Sequence, residues 1–251
     1  MKKRAPSADP PPLEGEPRWR DGFLSDRTCA WILDELEIAL WRPSTVVAKK
    51  PDGSFQDYHS ANRLSETAHE QWFSPALRRE LRRIEKRIAA DLDADVSRFE
   101  QWQASLYRRG GRFDFHFDAG YWSHEPAGER AKTVLLFLNT PRAGGGTRFR
   151  ELRIEVDARA GRLLSWDNLL PNGERDPRML HAGVPVTRGI KTVLVTWIRQ
   201  NAVRLTRQEV FYGQREGHHP KNHPEARRDH RSERETRSDD RDSEKVPVRG
   251  G

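Results

Sequence analysis

The feature that most constrains this chain is a change of hydrophobic period near Phe99. Before that point apolar residues recur every three or four positions, the spacing of an amphipathic helix. Beyond it they alternate, and the segments shorten between glycine-rich turns. Ser25 and Asp26 precede Cys29, Ile32, Leu33, Leu36, Ala39 and Leu40, which predicts a first helix with a side-chain N-cap, ending near Trp41 because Pro43 follows. Ser74 caps a second helix, Pro75 suits its first position, and Leu77, Leu81, Ile84, Ile88 and Leu92 form one stripe. Strands are predicted over 101–108, 113–118, 133–138, 153–156, 161–166 and 191–198, separated by Gly110-Gly111, Gly144 to Gly146 and Pro171-Asn172-Gly173. Helices first and antiparallel strands after them predict an α+β domain, a barrel or double-sheet jelly roll backed by N-terminal helices.

Only 35% of the 251 residues are hydrophobic, but the polar ones crowd the two ends. From 213 to 251 there are ten basic and nine acidic side chains and four histidines, against three aliphatic residues larger than glycine: Ala226, Val246 and Val248. Such a segment cannot bury enough apolar surface to offset its ordering entropy. The expectation is an unstructured charged tail at 213–251, an unstructured Pro-rich segment at 1–18, and one domain over 19–212 with its ligand-bearing β core at about 99–200. The formal charge of +7 is not gathered into a block of Lys and Arg, so nucleic acid is not the expected partner. No apolar run approaches the ~20 residues that a bilayer span needs, so no membrane partner is expected. Met1 to Arg4 is basic, but Pro10, Pro11, Pro12, Glu14 and Glu16 stand where an export signal would be apolar. The single cysteine, Cys29, can form no internal disulfide and no soft metal cluster. A reducing cytoplasm is the expected compartment. No motif speaks to the oligomeric state.

The segment Phe113-Asp114-Phe115-His116-Phe117-Asp118 alternates strictly, so three phenylalanines are expected on one face of a strand and Asp114, His116 and Asp118 on the other. A His-x-Asp triplet alone is weak evidence for a metal. Downstream, Met179 to Val186 places His181 at a strand edge, where it can converge with the first pair. Two histidines and one carboxylate are the donor set of non-haem Fe(II), which leaves positions open for a chelating co-substrate and dioxygen, unlike a closed structural zinc. Lys191 opens the last strand and shares a face with Val193, Val195 and Trp197. If that face lines the barrel, a buried ammonium needs an anion, and a carboxylate-bearing ligand would serve. Taken singly, a solvated polar face and an exposed strand-edge lysine are the plainer alternatives.

The motifs stand in a telling order. Tyr107-Arg108-Arg109-Gly110-Gly111-Arg112-Phe113 comes first, then His116-x-Asp118, Arg130 to Asn139, Gly144-Gly145-Gly146-Thr147-Arg148-Phe149 and Gly161-Arg162-Leu163-Leu164. His181-Ala182-Gly183-Val184-Pro185-Val186, Gly189-Ile190-Lys191 and Trp197-Ile198 follow. This order resembles the prolyl 4-hydroxylase family of Fe(II)/2-oxoglutarate-dependent dioxygenases, closely over about 99–200 and more loosely from about 20.

The resemblance implies a double-stranded β-helix (jelly-roll, cupin-like) holding iron through His116, Asp118 and His181. Lys191 would pair with the distal carboxylate of 2-oxoglutarate, with Thr147 and Tyr107 contributing to the co-substrate pocket. It implies Fe(2+), 2-oxoglutarate and O2 as cofactors and co-substrates, L-ascorbate as a candidate reductant, and succinate and CO2 as co-products. Asp118 stands where related halogenases carry Gly or Ala, which argues for hydroxylation. Gly146 stands where the family usually has Glu, and Phe113 where it often has Tyr. Peptidyl proline is the leading substrate by resemblance, with a free amino acid or small metabolite as the alternative. A non-catalytic metal-binding jelly-roll module is the contrasting reading. Trp122, His124, Trp166 and Asn168 are expected near the mouth of the barrel as substrate contacts. Asp114 is expected behind the ligands or in solvent, and His218, His219 and His223 in solvent.

Overall fold

A computed structural model describes residues 15–50, 52–53 and 55–204. The charged tail at 213–251, with its histidines, and residues 1–14 of the Pro-rich segment lie outside the described residues. A short strand, β1 (Arg18–Arg20), precedes α1 (Asp26–Leu36). The Ser25 hydroxyl accepts from the Thr28 N–H at 3.1 Å, the side-chain cap the sequence predicts. This helix stops at Leu36, short of Trp41. The Trp41 indole N–H turns back to donate to the Leu36 carbonyl at 3.0 Å, capping the last turn, and Leu40, which continues the apparent stripe, is 38% exposed.

Short strands follow: β2 (Arg42–Pro43), β3 (Val46–Lys49), β4 (Phe55–Tyr58), β5 (Arg63–Leu64) and β6 (Glu66–His69). Periodicity does not show them, because two to four residues are too few to give a readable alternation. Helix α2 (Pro75–Leu92) starts at the Ser74 cap, whose hydroxyl accepts from the Leu77 N–H at 3.0 Å, and ends on Asp93 in the left-handed conformation at φ 48°. Its Leu77, Leu81, Ile84 and Ile88 are fully buried, each contributing roughly 1.5–3 kcal/mol relative to exposure.

The remaining strands are β7 (Gln103–Tyr107), β8 (Arg112–His116), β9 (Arg130–Phe137), β10 (Ala143–Gly144), β11 (Thr147–Phe149), β12 (Ile154–Val156), β13 (Leu163–Asp167), β14 (His181–Gly183), β15 (Val186–Arg188) and β16 (Lys191–Arg199). They form a seven-stranded sheet in the order β1-β13-β9-β16-β7-β6-β2 and a five-stranded sheet in the order β12-β11-β14-β8-β5, with β3-β4 and β10-β15 as separate pairs. All the pairings are antiparallel. The two sheets face each other across one apolar cluster that includes Phe137, Phe149, Val186 and Val193. On its other face the larger sheet receives α1 and α2 over Ala104, Val134, Leu136, Leu194 and Ile198. The result is the jelly roll backed by helices that the sequence predicts.

One polar clasp sits inside the helix layer. Glu85 of α2 is buried and accepts from the Trp102 indole N–H at 2.8 Å and from Arg82. Arg204, the last described residue, closes on the same carboxylate at 2.8 and 3.0 Å. Removing one partner would leave a buried charge uncompensated.

Candidate metal centre

The smaller sheet brings the first and last ligand candidates together. β14 runs antiparallel to β8 with His181 opposite His116 and Gly183 opposite Phe113. Ala182 alone thus faces both Asp114 and Phe115, a β-bulge between Phe113 and His116. The bulge puts Phe113 on the same face as His116, and the two rings stack at 3.5 Å between centroids. The strict alternation expected from the sequence therefore breaks here. Phe115 is 37% exposed beneath the Arg150 guanidinium instead of joining a greasy core face. Asp114 pairs with Arg112 at 3.1 Å, and only its backbone serves the site.

That service is specific. The Nδ1–H of His116 donates to the Asp114 carbonyl at 2.8 Å, and the Nδ1–H of His181 donates to the Met179 carbonyl at 2.9 Å. Each imidazole is held by the carbonyl two residues upstream, which fixes its tautomer and leaves the Nε2 lone pair for a metal. His116 Nε2 lies 3.8 Å from Asp118 Oδ1 and His181 Nε2 lies 3.6 Å from Asp118 Oδ2, and one donor atom from each of the three residues lies within 4.8 Å of the others. Burial, then the neighbouring His181, pushes the His116 imidazole down to about 3, so it is neutral. Burial pushes the Asp118 carboxyl up, but His181, His116, Arg130 and a hydrogen bond from Thr133 outweigh it and hold it below the usual range. Two imidazole nitrogens and one carboxylate oxygen in this spacing fit a divalent iron with open positions.

A cavity between the sheets leads from these ligands to Lys191. Lys191 is 3% exposed, and no carboxylate among the described residues pairs with it. Burial pushes its ammonium down to about 7. It stands opposite Tyr107 in the β16–β7 register, with Nζ 5.0 Å from that ring and 5.4 Å from the Phe137 ring. Tyr107, Thr147, Trp166, Val193, Val195 and Trp197 also line the cavity, so the face predicted for Lys191 does look inward. Toward solvent the cavity continues into a groove bordered by Val46, Val47, Tyr58, Phe117, Tyr121 and Trp122. Glu129 shapes that rim by accepting from the N–H groups of Gly120, Trp122 and Ser123 at 2.8–2.9 Å.

The expected mouth residues separate. Trp122 stands on the groove beneath the Arg130 guanidinium, and His124 stacks on Phe55 of β4 at 5.0 Å. Trp166 lies deeper, edge-on to His181 at 4.8 Å. Asn168 does not reach the mouth: it is 2% exposed, and its side-chain amide donates to Thr133 at 2.8 Å. Thr133 in turn donates to Asp118 at 2.7 Å. Sequence reading passed over Thr133, although alternation along β9 puts it on the cavity face with Leu135 and Phe137. It also passed over Arg63, which lines both cavity and groove with its guanidinium 4.7 Å from the Phe113 ring, because β5 is only two residues long. At Gly146, where the family has Glu, a Cβ would sit 3.1 Å from Glu155, whose side chain fills that space.

Comparison with known proteins agrees with this geometry. Residues 102–199 match the 2OG-Fe(II) oxygenase superfamily. The chain is 32% identical over 155 residues to prolyl 4-hydroxylase subunit alpha-2 of Caenorhabditis elegans, covering 59% of this chain and 28% of the worm protein. It is 32% identical over 185 residues to subunit alpha-3 of Rattus norvegicus, covering 71% and 32%. The matched segment thus spans under a third of either relative's length. In fold it is similar to the viral collagen prolyl hydroxylase of Paramecium Bursaria Chlorella virus-1, solved with 2-oxoglutarate, at a TM-score of 0.56 and 24% identity over 73% of this chain and 95% of the viral one. The segment that matches the 2OG-Fe(II) oxygenase superfamily, residues 102–199, is also the one that carries His116, Asp118, His181 and Lys191.

Proposed function

We propose that this chain is an Fe(II)/2-oxoglutarate-dependent dioxygenase of prolyl 4-hydroxylase type that hydroxylates a proline within a peptide or protein. One observation carries the reading: the same cavity holds a metal-ready His-Asp-His set and an unpaired, buried lysine. A structural metal needs no second cation in its pocket, whereas a dianionic co-substrate that chelates a metal at one end needs a positive charge at the other.

In this reading His116, Asp118 and His181 hold iron, and the Lys191 ammonium binds the far carboxylate of 2-oxoglutarate. The Thr147 hydroxyl and Tyr107 complete that pocket. Bound iron supplies the oxidation, in which O2 and 2-oxoglutarate give succinate and CO2 as the substrate C–H becomes C–OH. The protein's part is to orient both substrates and exclude water. The apolar walls of Leu135, Val193 and Val195 keep the co-substrate dry, which strengthens its contact with Lys191.

A polypeptide substrate is favoured by the groove, which opens from the cavity past Trp122 and Tyr121 toward solvent. The curated relatives named prolyl 4-hydroxylase support proline as that residue. The compartment in this reading is the cytoplasm, supported by the sequence's single cysteine, which is buried. L-ascorbate enters as a reductant, to be tested by omission. Anaerobic addition of Fe(II) and then 2-oxoglutarate is expected to give a visible charge-transfer band that His181→Ala lacks. Succinate release is expected to rise with proline-containing peptides more than with free proline. Folded, iron-loaded protein without the band would sink the dioxygenase reading, and equal turnover with free amino acids would sink the polypeptide assignment.

A further inference from the structure

We propose that Thr133 and Asn168 are positioning residues that fix the orientation of the Asp118 carboxylate at the metal site. The inference rests on reading His116, Asp118 and His181 as the iron site. Thr133 Oγ1 donates to Asp118 Oδ2 at 2.7 Å, and Asn168 Nδ2 donates to Thr133 Oγ1 at 2.8 Å. A hydroxyl has one proton. With the Asn168 N–H occupying its oxygen, that proton is directed at the carboxylate. Asp118 Oδ1 accepts no hydrogen bond among the described residues and stays open for coordination.

Asn168 is itself held at both backbone ends, its N–H donating to the Ala131 carbonyl at 2.8 Å and its carbonyl accepting from the Asp176 N–H at 2.9 Å. Its side-chain Oδ1 is buried without a partner, an unusual and costly state. Turning the amide over would not cure this at the site. It would set an acceptor against Thr133, draw the hydroxyl proton away from Asp118, and unseat the ligand. Thr133 comes from β9 and Asn168 from just beyond β13, neighbours in the larger sheet, whereas both histidines belong to the smaller one. The chain therefore ties the loop-borne ligand to the sheet opposite.

Co(II) serves as the probe, because its d–d spectrum reports ligand arrangement without turnover. The wild type, Thr133→Val, Thr133→Ser, Asn168→Asp and His181→Ala are titrated anaerobically, with near-UV circular dichroism to check folding. Asn168→Asp keeps the shape but offers Thr133 an acceptor, so it reverses the hydroxyl. Thr133→Val and Asn168→Asp are expected to weaken Co(II) by about 10- to 100-fold and to change its spectrum, while Thr133→Ser stays within a few fold of wild type. Wild-type affinity and spectrum in folded Thr133→Val or Asn168→Asp would overturn the inference alone. So would a loss in Thr133→Ser as large as in Thr133→Val. Co(II) binding that survives His181→Ala, or a wild type that binds none, would overturn the metal reading and this inference with it.

Discussion

The two faces of the seven-stranded sheet are cut from the same strands and do different things. On β9, Val134 and Leu136 turn toward the helices, while Thr133, Leu135 and Phe137 turn toward the cavity. On β16, Leu194 and Ile198 face α1 and α2, and Lys191, Val193, Val195 and Trp197 face inward. The helix face is closed by apolar contact. The cavity face carries an ammonium without a counter-charge, a hydroxyl aimed at a ligand, and buried indole N–H groups of Trp166 and Trp197 without acceptors. Such groups are destabilising where they stand and are retained because something else is meant to meet them. Parity along a strand thus divides stability from chemistry.

The comparison breaks first, and most widely, at the ligand. Asp118→Ala is expected to lower peptide-dependent succinate formation by ~10³-fold or more, about 4 kcal/mol, while the melting temperature falls little. A comparable loss of fold would show that the cavity face also holds the sheets together. Leu136→Ala, one residue along β9 from a cavity wall, should cost about 2–5 kcal/mol of stability in urea unfolding and leave the 2-oxoglutarate affinity of the folded fraction unchanged.

Lys191→Met sharpens the division from the other side. Calorimetry should show 2-oxoglutarate binding weakened by ~10²-fold, about 2.7 kcal/mol, with Fe(II) affinity kept, while the ligand-free protein melts at a higher temperature. A lower melting temperature would mean that the ammonium has a protein partner.

The same lysine gives a pH signature. Its ammonium is held at about 7 in the folded chain against an ordinary 10.5. The unfolded chain therefore binds more protons between those values, and ligand-free stability should climb as pH rises from about 7 toward 10.5. Binding of 2-oxoglutarate runs the other way. It uses the charged form, so affinity is level below about pH 7 and falls about tenfold per pH unit above it. A flat profile from pH 7 to 9 would remove Lys191 from the co-substrate site. At the smallest scale, Ser74→Ala should cost about 1 kcal/mol in thermal unfolding and nothing in ligand affinity.

Much of this was legible in the residues. Both helix starts, the α2 stripe and the long strands follow from caps and periods, and alternation puts Lys191 on one face with Val193, Val195 and Trp197 without telling on which side of the sheet that face lies. What sequence could not show depends on pairing. The bulge that turns Phe113 onto His116 is a register shift between β8 and β14, and alternation within β8 alone gives the opposite face. Asn168 lies on a segment expected at the mouth of the barrel, yet its amide is captured by Thr133 on a neighbouring strand. The strands β2 to β6 are unreadable because segments of two to four residues become strands only through the edges they join. Arg63, the one cation that they bring to the cavity wall, went unseen with them.

The clasp on Glu85 has a consequence for how the chain is made. Arg204 reaches that carboxylate across 119 residues, from the far end of the last strand. During synthesis α2 emerges long before Arg204, so its buried carboxylate waits with part of its shell missing until β16 has been laid between β7 and β9. Such distant closure slows folding and makes its last step a locking one. The helix layer can gather early, but it is sealed only when the strand that carries Lys191 is in place. A molecule whose helices are fully clasped is therefore one whose cavity is already built.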